Sequence, residues 1–528
     1  MKTALKVRIV AQVSLITLTV SVGAHAQSVS ITPSTLSRIG TVDKRFQSYN
    51  IEMVEVTGGR FWKPYASTAA PAAAKAPTAN QPAGMDPNLF EYRPPINLAN
   101  PRLRKLAAAL GPAYLRVSGT WANTTYFQNN DDPPATAPPT GFNAVLTRAE
   151  WKGVVDFAQA ANAEIVTSFA ISPGARNASG VWTPAEAKKL LDYTHSLGTK
   201  IAAAEYFNEP NIAAMGGAPK GYDAADYGRD VKLFHTFIKE AEPALIFLGP
   251  GSVGEGTMIL PTNMPMKMPS SADLLTATGP VFGAISYHSY GGVSSRCASM
   301  GAGAGTTADA ALSDEWLAKA GKIEDFYAGV RDQFEPGKPL WLTETAQAAC
   351  GGDRWASTFL DSFRYLNQLG LLARRGVQVQ MHNTLAASDY GLLDEKTYEP
   401  RPNYWSALLW HRLMGTTVLN PAASAAPGLH VYAHCLAGQP GGVAILAINA
   451  SRDASQVLDL PISSNRYTLT AKNLQDKTVM LNGAELQLTA SDDLPALEGT
   501  ATAAGPVTLA PASITFLAVA KAHNANCP

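Results

Sequence analysis

A chain of 528 residues is too long for a small binding module, and at roughly 100–200 residues per domain it has room for about three domains, or fewer if one is a large barrel. Hydrophobic residues at 46% and charged residues at 16% describe a globular protein and exclude bulk disorder and collagen-like repeats. Lysine plus arginine and aspartate plus glutamate both total 42, so no overall field draws the chain to nucleic acid or to an anionic membrane.

Residues 1–26 read as a secretory signal. Lys2, Lys6 and Arg8 precede an apolar stretch from Ile9 to Val22, and Ala24-His25-Ala26 forms a small-residue cleavage site. The stretch falls short of the roughly 20 apolar residues that span a bilayer and is broken by Gln12, Ser14, Thr17 and Thr19. No later segment is long and apolar enough for stable membrane insertion. A secreted or periplasmic protein, cleaved near Ala26, follows from this reading, and an exported compartment favours pairing of its cysteines. The four, Cys297, Cys350, Cys435 and Cys527, allow three connectivities.

Next along the chain, 27–44 includes Val29–Thr32, whose strand character suits an edge strand added to a distant C-terminal domain. Residues 66–84, rich in Ala and Pro, read as a flexible excursion after the first barrel strand. From 45 to 413, short β-type runs alternate with helical stretches, which predicts βα units and a parallel sheet. The runs are Ser48–Val56, Tyr114–Val117, Glu164–Phe169, Ala203–Phe207, Leu245–Leu248, Ala284–Tyr287, Pro339–Thr343 and Val377–Met381, and eight of them suggest an α/β protein built on a (β/α)8 TIM barrel. Between the third and fourth, Thr183-Pro184-Ala185-Glu186 predicts a capping box at a helix start, and Gly198 its end. From 414 to 528 the pattern changes to alternating segments, Leu429–Cys435, Val443–Ile448, Arg466–Thr470 and Ile514–Val519, which predict an additional antiparallel β-sandwich domain. By position, Cys435 with Cys527 would tie the last sandwich strand to an early one, leaving Cys297 and Cys350 to pair in the barrel.

Two strings carry chemistry. In Tyr206-Phe207-Asn208-Glu209-Pro210-Asn211 and again in Leu340-Trp341-Leu342-Thr343-Glu344-Thr345, an apolar run stops at a glutamate. Strand C-termini build the active site of a (β/α)8 barrel. A lone glutamate there could equally cap the next helix, but two, at the mouths of the fourth and seventh strands, match the acid/base and nucleophile of a retaining glycosidase, whose carboxyl groups stand about 5–5.5 Å apart.

These residues resemble the clan of retaining (β/α)8 glycosidases in which Asn-Glu ends strand four and Glu ends strand seven. Thr343-Glu344-Thr345, Leu366-Asn367-Gln368-Leu369-Gly370, Asp389-Tyr390-Gly391-Leu392-Leu393-Asp394 and Asn403-Tyr404-Trp405 narrow the likeness to the heparanase and β-glucuronidase family, glycoside hydrolase family 79. The resemblance implies Glu209 as acid/base, Glu344 as nucleophile and Asn208 as the group holding a sugar 2-hydroxyl. It further implies that Tyr290 orients Glu344, His288 shapes the same wall, Arg116 supports the nucleophile with Thr120 nearby, and Glu52 binds sugar hydroxyls. Gly351 and Gly352, after Cys350, fall where the family presents backbone N–H groups to a uronate carboxylate, and Asn383, Asp389 and Tyr390 align around strand eight. The turn departs from the family in carrying Cys where Tyr is common.

Other signals fail. Gly249–Gly254 fits G-x-G-x-x-G, but a proline sits within it and no helix opens on it. His430 and His434 lie four residues apart in an alternating run, so about 13 Å separates them and they cannot share a metal. Phe61, Trp62 and Tyr65, beside Arg60 and Lys63, could stack on an acidic sugar or pack their own loop. The expectation is a retaining β-glycosidase acting as a monomer on a glucuronic-acid-containing glycan, with no metal or organic cofactor and no nucleic acid partner. The substrate is a heparan-sulfate-like chain cut internally or a terminal glucuronide. A clan enzyme for a neutral sugar and a non-catalytic carbohydrate-binding protein are the alternatives.

Overall fold

The computed structural model describes residues 28–65, 82, 85–256, 268–300, 306–421 and 426–528. The segment read as a signal lies outside the described residues, as does the Ala/Pro-rich run 66–84 apart from Pro82.

Eight parallel strands close a barrel: β1 Gln47–Glu52, β2 Ala113–Ser118, β3 Ala163–Thr167, β4 Ile201–Glu205, β5 Ile246–Ser252, β6 Ala284–Tyr290, β7 Leu340–Ala346 and β8 Val379–His382. Closure is made by β8 against β1, with Met381 opposite Ser48. Side chains pointing inward meet one another and those pointing outward meet helices, so both faces are dry and the strands read as unbroken apolar runs. Helices cover the outside, among them Arg148–Ala160, started by a capping box between Thr147 and Glu150, and Ala224–Ala241, capped by Asp223.

Several local expectations differ from the structure. The first run stops as a strand at Glu52, and Met53–Thr57 is a single helical turn in which Glu52 and Glu55 cap each other's backbone. Val54 and Val56, which argued for continued strand, are buried in that turn, so packing overrides their β preference. The third and fourth runs likewise end two residues early, at Thr167 and Glu205. The capping box at Thr183 does not form: the helix is Ala185–Ser196 with Pro184 as its cap residue, Thr183 Oγ1 turns back to the Ala175 carbonyl, and the Glu186 carboxylate takes Lys189 at 2.6 Å.

Two short strand pairs, Gly59–Trp62 with Phe90–Arg93 and Thr125–Gln128 with Ala144–Thr147, lie in the barrel's loops, and the other strands form two sheets. The larger runs Arg38–Thr41, Met414–Leu419, Leu429–Leu436, Val443–Asn449, Ser513–Val519 and Ser464–Thr470, continuing into two short strands. The smaller places Ser28–Ser30 beside Gln456–Leu460 and Gly505–Leu509. Val29, Leu458 and Val507 from the smaller sheet share one core with Val443, Ile445 and Leu517 from the larger. The opposite face of the larger sheet rests on the barrel through helix Phe359–Arg374. There Tyr432 donates its hydroxyl to Asn367 at 2.7 Å, and its ring would stand 2.3 Å from a methyl placed on Gly370.

Both disulfides are present, Cys297–Cys350 and Cys435–Cys527. Cys527 lies beyond the last strand, so its bond fastens the C-terminal tail rather than that strand. Among the described residues no helix is long and apolar enough to cross a membrane.

Candidate active site

The C-terminal ends of the barrel strands open on a cleft of about 1000 Å³, mouth included. Its floor is set by Glu52 from β1, Glu209 after β4, Tyr290 from β6, Glu344 from β7, and Asn383 and Tyr390 after β8.

Glu209 is placed by an unusual backbone. Its φ of 53° and ψ of 63° are left-handed, a conformation that costs a non-glycine residue roughly 1–2 kcal/mol and persists only where neighbours enforce it. The neighbours are on both sides. Asn123 clamps the preceding residue, accepting the Asn208 N–H at 2.9 Å and donating to the Asn208 carbonyl at 3.0 Å, while Pro210 starts a short turn behind it. Glu344 sits in β7 at a register shift, where Leu342 pairs with Tyr287 and Glu344 with the next residue, His288, and it faces Glu209: one carboxylate oxygen of each glutamate and a ring nitrogen of His288 all lie within 4.8 Å of one another.

Each oxygen of Glu344 receives its own donor. Tyr290 donates its hydroxyl to Oε1 at 2.5 Å and Arg116 donates Nη1–H to Oε2 at 2.9 Å. Arg116, wholly buried, also donates Nη2–H to Glu205 at 2.9 Å and to Asn208 Oδ1 at 2.8 Å. Asn208 in turn approaches the Thr120 hydroxyl at 3.4 Å. Asn383 donates to the hydroxyls of Tyr290 at 3.2 Å and Tyr390 at 3.3 Å, tying the β8 loop to the same cluster.

His288 lies under the cleft rather than on its wall. Its Nδ1–H donates to Glu209 at 3.0 Å. Burial opposes a charge on the ring, but the carboxylates of Glu344, Glu205 and Glu209 outweigh it and push the imidazole up to about 10. Both ring nitrogens then carry protons, and the 3.2 Å between Nε2 and Arg116 Nη2 is an approach of two donors converging on Glu205, not a hydrogen bond. For Glu205 burial is likewise overcome, by Arg116 and His288, and the carboxyl is held far below the usual range. Glu209 goes the other way: burial raises it, the His288 hydrogen bond only partly offsets that, and the Glu344 charge adds to the rise. Glu52 is raised as well, by burial and then by Glu344. The two glutamates facing each other are therefore unlike, one favouring its proton and the other held by two donors.

Not every residue singled out reaches the cleft. Asp389 turns away, its Oδ2 accepting from Arg296 at 2.5 Å and from the Tyr65 N–H at 3.1 Å. Gly351 and Gly352 follow Cys350 in a turn where all three have left-handed φ, 62°, 82° and 80°. A methyl on Gly351 would come within 2.6 Å of Trp62 Cβ, which is why glycine is needed there. That turn is zipped to the loop after β6 by the disulfide, by Ser294 Oγ donating to the Gly352 carbonyl at 2.9 Å and by the Ser295 N–H donating to Asp353 at 2.8 Å. Phe61 is buried against Trp121, whereas Trp62 lines the cleft and stacks on Phe90. Tyr65 lies between the guanidinium groups of Arg296 and Arg354.

Glu205, Asn123 and Thr343, which donates to Glu205 at 2.7 Å, belong to the site and were not singled out from the sequence. Glu209, His288 and Glu344 have the spacing of metal ligands. The Arg116 guanidinium on Glu344, together with the proton-bearing His288, opposes a further cation there.

A closed parallel barrel whose fourth and seventh strands deliver facing carboxyl groups, one raised in pKa and one braced by arginine and tyrosine, is the arrangement a retaining glycoside hydrolase would use. Comparison with known proteins is in accord. The family model described as glycosyl hydrolase family 79, N-terminal domain, matches residues 95–370, and the chain belongs to that family. It is 27% identical over 484 residues to heparanase-like protein 1 of Arabidopsis thaliana, covering 80% of this chain and 84% of that protein. To baicalin-beta-D-glucuronidase of Scutellaria baicalensis it is 28% identical over 446 residues, covering 76% and 79%. Among solved structures, a 4-O-alpha-L-rhamnosyl-beta-D-glucuronidase from Fusarium oxysporum 12S superposes with a TM-score of 0.60 at 15% identity, over 93% of this chain and 99% of that one, a likeness of fold.

Proposed function

We propose that the protein is an exported retaining exo- or endo-acting β-glucuronidase with Glu344 as nucleophile and Glu209 as acid/base. The single observation that carries the reaction type is the approach of the two carboxyl groups to within 4.8 Å, far closer than the roughly 6.5–9.5 Å that an inverting enzyme needs to seat a water between them. Glu344 attacks the anomeric carbon while Glu209 protonates the departing oxygen. Water then opens the glycosyl-enzyme with Glu209 acting as base, so the anomer is retained.

Glucuronate is favoured by the relatives named for glucuronidic substrates, and the Cys350-Gly351-Gly352 turn reaches the cleft at Cys350. The cationic, apolar, small-residue order of 1–26 and two disulfides support export.

The test is release of p-nitrophenol from the β-glucuronide, β-glucoside and β-xyloside by the wild type, Glu209→Gln and Glu344→Gln, with the product anomer followed by NMR. Turnover of the glucuronide, first released as the β-anomer and lost in both variants, is the expected result. Preference for a neutral sugar removes the glucuronate assignment, and α-product removes the double displacement.

A further inference from the structure

Among the described residues lining the cleft, the charged ones are three glutamates, Glu52, Glu209 and Glu344, and there is no lysine, arginine or histidine. Nearby arginines lie outside that lining, Arg354 exposed over the Tyr65 ring and three others tied to partners. Arg93 pairs with Glu395 and donates to the Trp62 carbonyl, Arg60 donates to the carbonyls of Pro87 and Phe90, and Arg296 holds Asp389. A single uronate can be met by neutral main-chain donors, but a sulfated chain bears several anions, and the described residues of these walls offer no cation to neutralise them.

The walls are instead apolar: Trp62, Met85, Trp121, Ile212, Met215 and Val253. Their position relative to the acid matters. Glu209 delivers its proton to the departing oxygen, so the leaving group lies on the side of the β4 and β5 loops, where Ile212, Met215 and Val253 stand. That face is held rigid, because the Asn211 side chain donates to the Val253 carbonyl at 2.7 Å and accepts the Val253 N–H at 3.1 Å. A preformed apolar wall next to the acid rewards a leaving group that loses water on binding.

Resting on the glucuronidase reading, we infer that the leaving group is an apolar alcohol or phenol, so that the substrate class is small β-glucuronides with apolar aglycones and not sulfated polysaccharide. The test compares leaving groups of similar intrinsic reactivity, 2-(2-naphthyl)ethyl β-glucuronide against glucuronyl-β-1,4-N-acetylglucosamine, on the full-length enzyme, together with size analysis of digested heparan sulfate. The naphthylethyl compound should have at least tenfold higher kcat/KM, carried by KM, with heparan sulfate left at full length. Met215→Ser and Ile212→Ser should each lower that preference by about tenfold, the scale of a lost apolar contact in a binding pocket.

A disaccharide preferred or equal to the naphthylethyl compound, shortened heparan sulfate, or a preference unmoved in both variants overturns the inference while leaving glucuronidase action intact. Cleavage of neutral glycosides with no turnover of either glucuronide overturns the underlying reading instead.

Discussion

Gly119 sits where β2 turns toward the cleft, with φ of 89°, and a methyl added to it would lie 1.5 Å from Glu52 Oε2. Such a methyl is not found closer than 3.0 Å to a heavy atom, so in Gly119→Ala the Glu52 carboxylate must retreat by about 1.5 Å. Two penalties follow. The left-handed φ is strained for alanine by roughly 1–2 kcal/mol, which lowers the unfolding midpoint without preventing folding. The displaced carboxylate matters more, since a misplacement of about 1 Å in a positioned group can slow catalysis by roughly 10²-fold. Gly119→Ala should therefore show kcat/KM on an aryl β-glucuronide reduced about 10²-fold with only a modest fall in midpoint. Shortening the acid in the same chain, Gly119→Ala with Glu52→Asp, opens room for the methyl and should recover activity relative to the single variant, a coupling that a double-mutant cycle reads directly. Wild-type kcat/KM in Gly119→Ala, or the absence of any coupling with Glu52→Asp, would refute the expectation that Glu52, which lines the cleft, meets the sugar.

Glu209 must be protonated to donate, and its raised pKa keeps the proton to higher pH. The basic limb of kcat/KM should lie above the ordinary carboxylate range, with activity lost as pH rises through it, and vanish from whatever activity Glu209→Gln retains on a highly activated aryl leaving group. Opening the inner disulfide with Cys297→Ser and Cys350→Ser releases the turn of Gly351 and Gly352. The KM for a glucuronide should rise about tenfold with kcat less affected, whereas Cys435→Ser with Cys527→Ser should lower the melting temperature and leave KM alone. Gly370→Ala gains roughly 1 kcal/mol of helix propensity but forces a methyl to within 2.3 Å of the Tyr432 ring, an overpacking that costs about 1–3 kcal/mol. Urea unfolding should show net destabilisation, and a more stable variant would mean that the sandwich packs loosely on the barrel.

The barrel was legible because strands buried on both faces are written as apolar runs, and because Glu209 and Glu344 each interrupt such a run abruptly. What surrounds them was less so. Arg116 reaches Glu205 across 89 residues and Asn123 clamps Asn208 across 85, distances over which no local pattern operates. A glutamate closing the Ile-Ala-Ala-Ala run of β4 was the one available signal for Glu205. Asp389 misled for the opposite reason: it neighbours Tyr390 in the chain, but the loop sends the tyrosine to the cleft and the aspartate to Arg296. The apolar wall beside the acid is made of loop residues, whose arrangement depends on contacts such as the Asn211–Val253 clasp rather than on periodicity.

The strands before the barrel set a timetable for synthesis. Ser28–Ser30 finds its partner only at Gln456–Leu460, Arg38–Thr41 only at Met414–Leu419, and the carbonyls of Pro33 and Leu36 are met by Asn524. A chain emerging from its N-terminus thus carries two strands with no mate until more than three-quarters of it has been made, and the barrel itself cannot close before β8 arrives to meet β1. Contacts this remote in sequence make folding slow and leave apolar edges open to other chains meanwhile. For the same reason neither end can be trimmed to yield a free-standing catalytic barrel: cutting before residue 42 strips a strand from each sheet, and cutting after 413 removes the face on which helix Phe359–Arg374 rests.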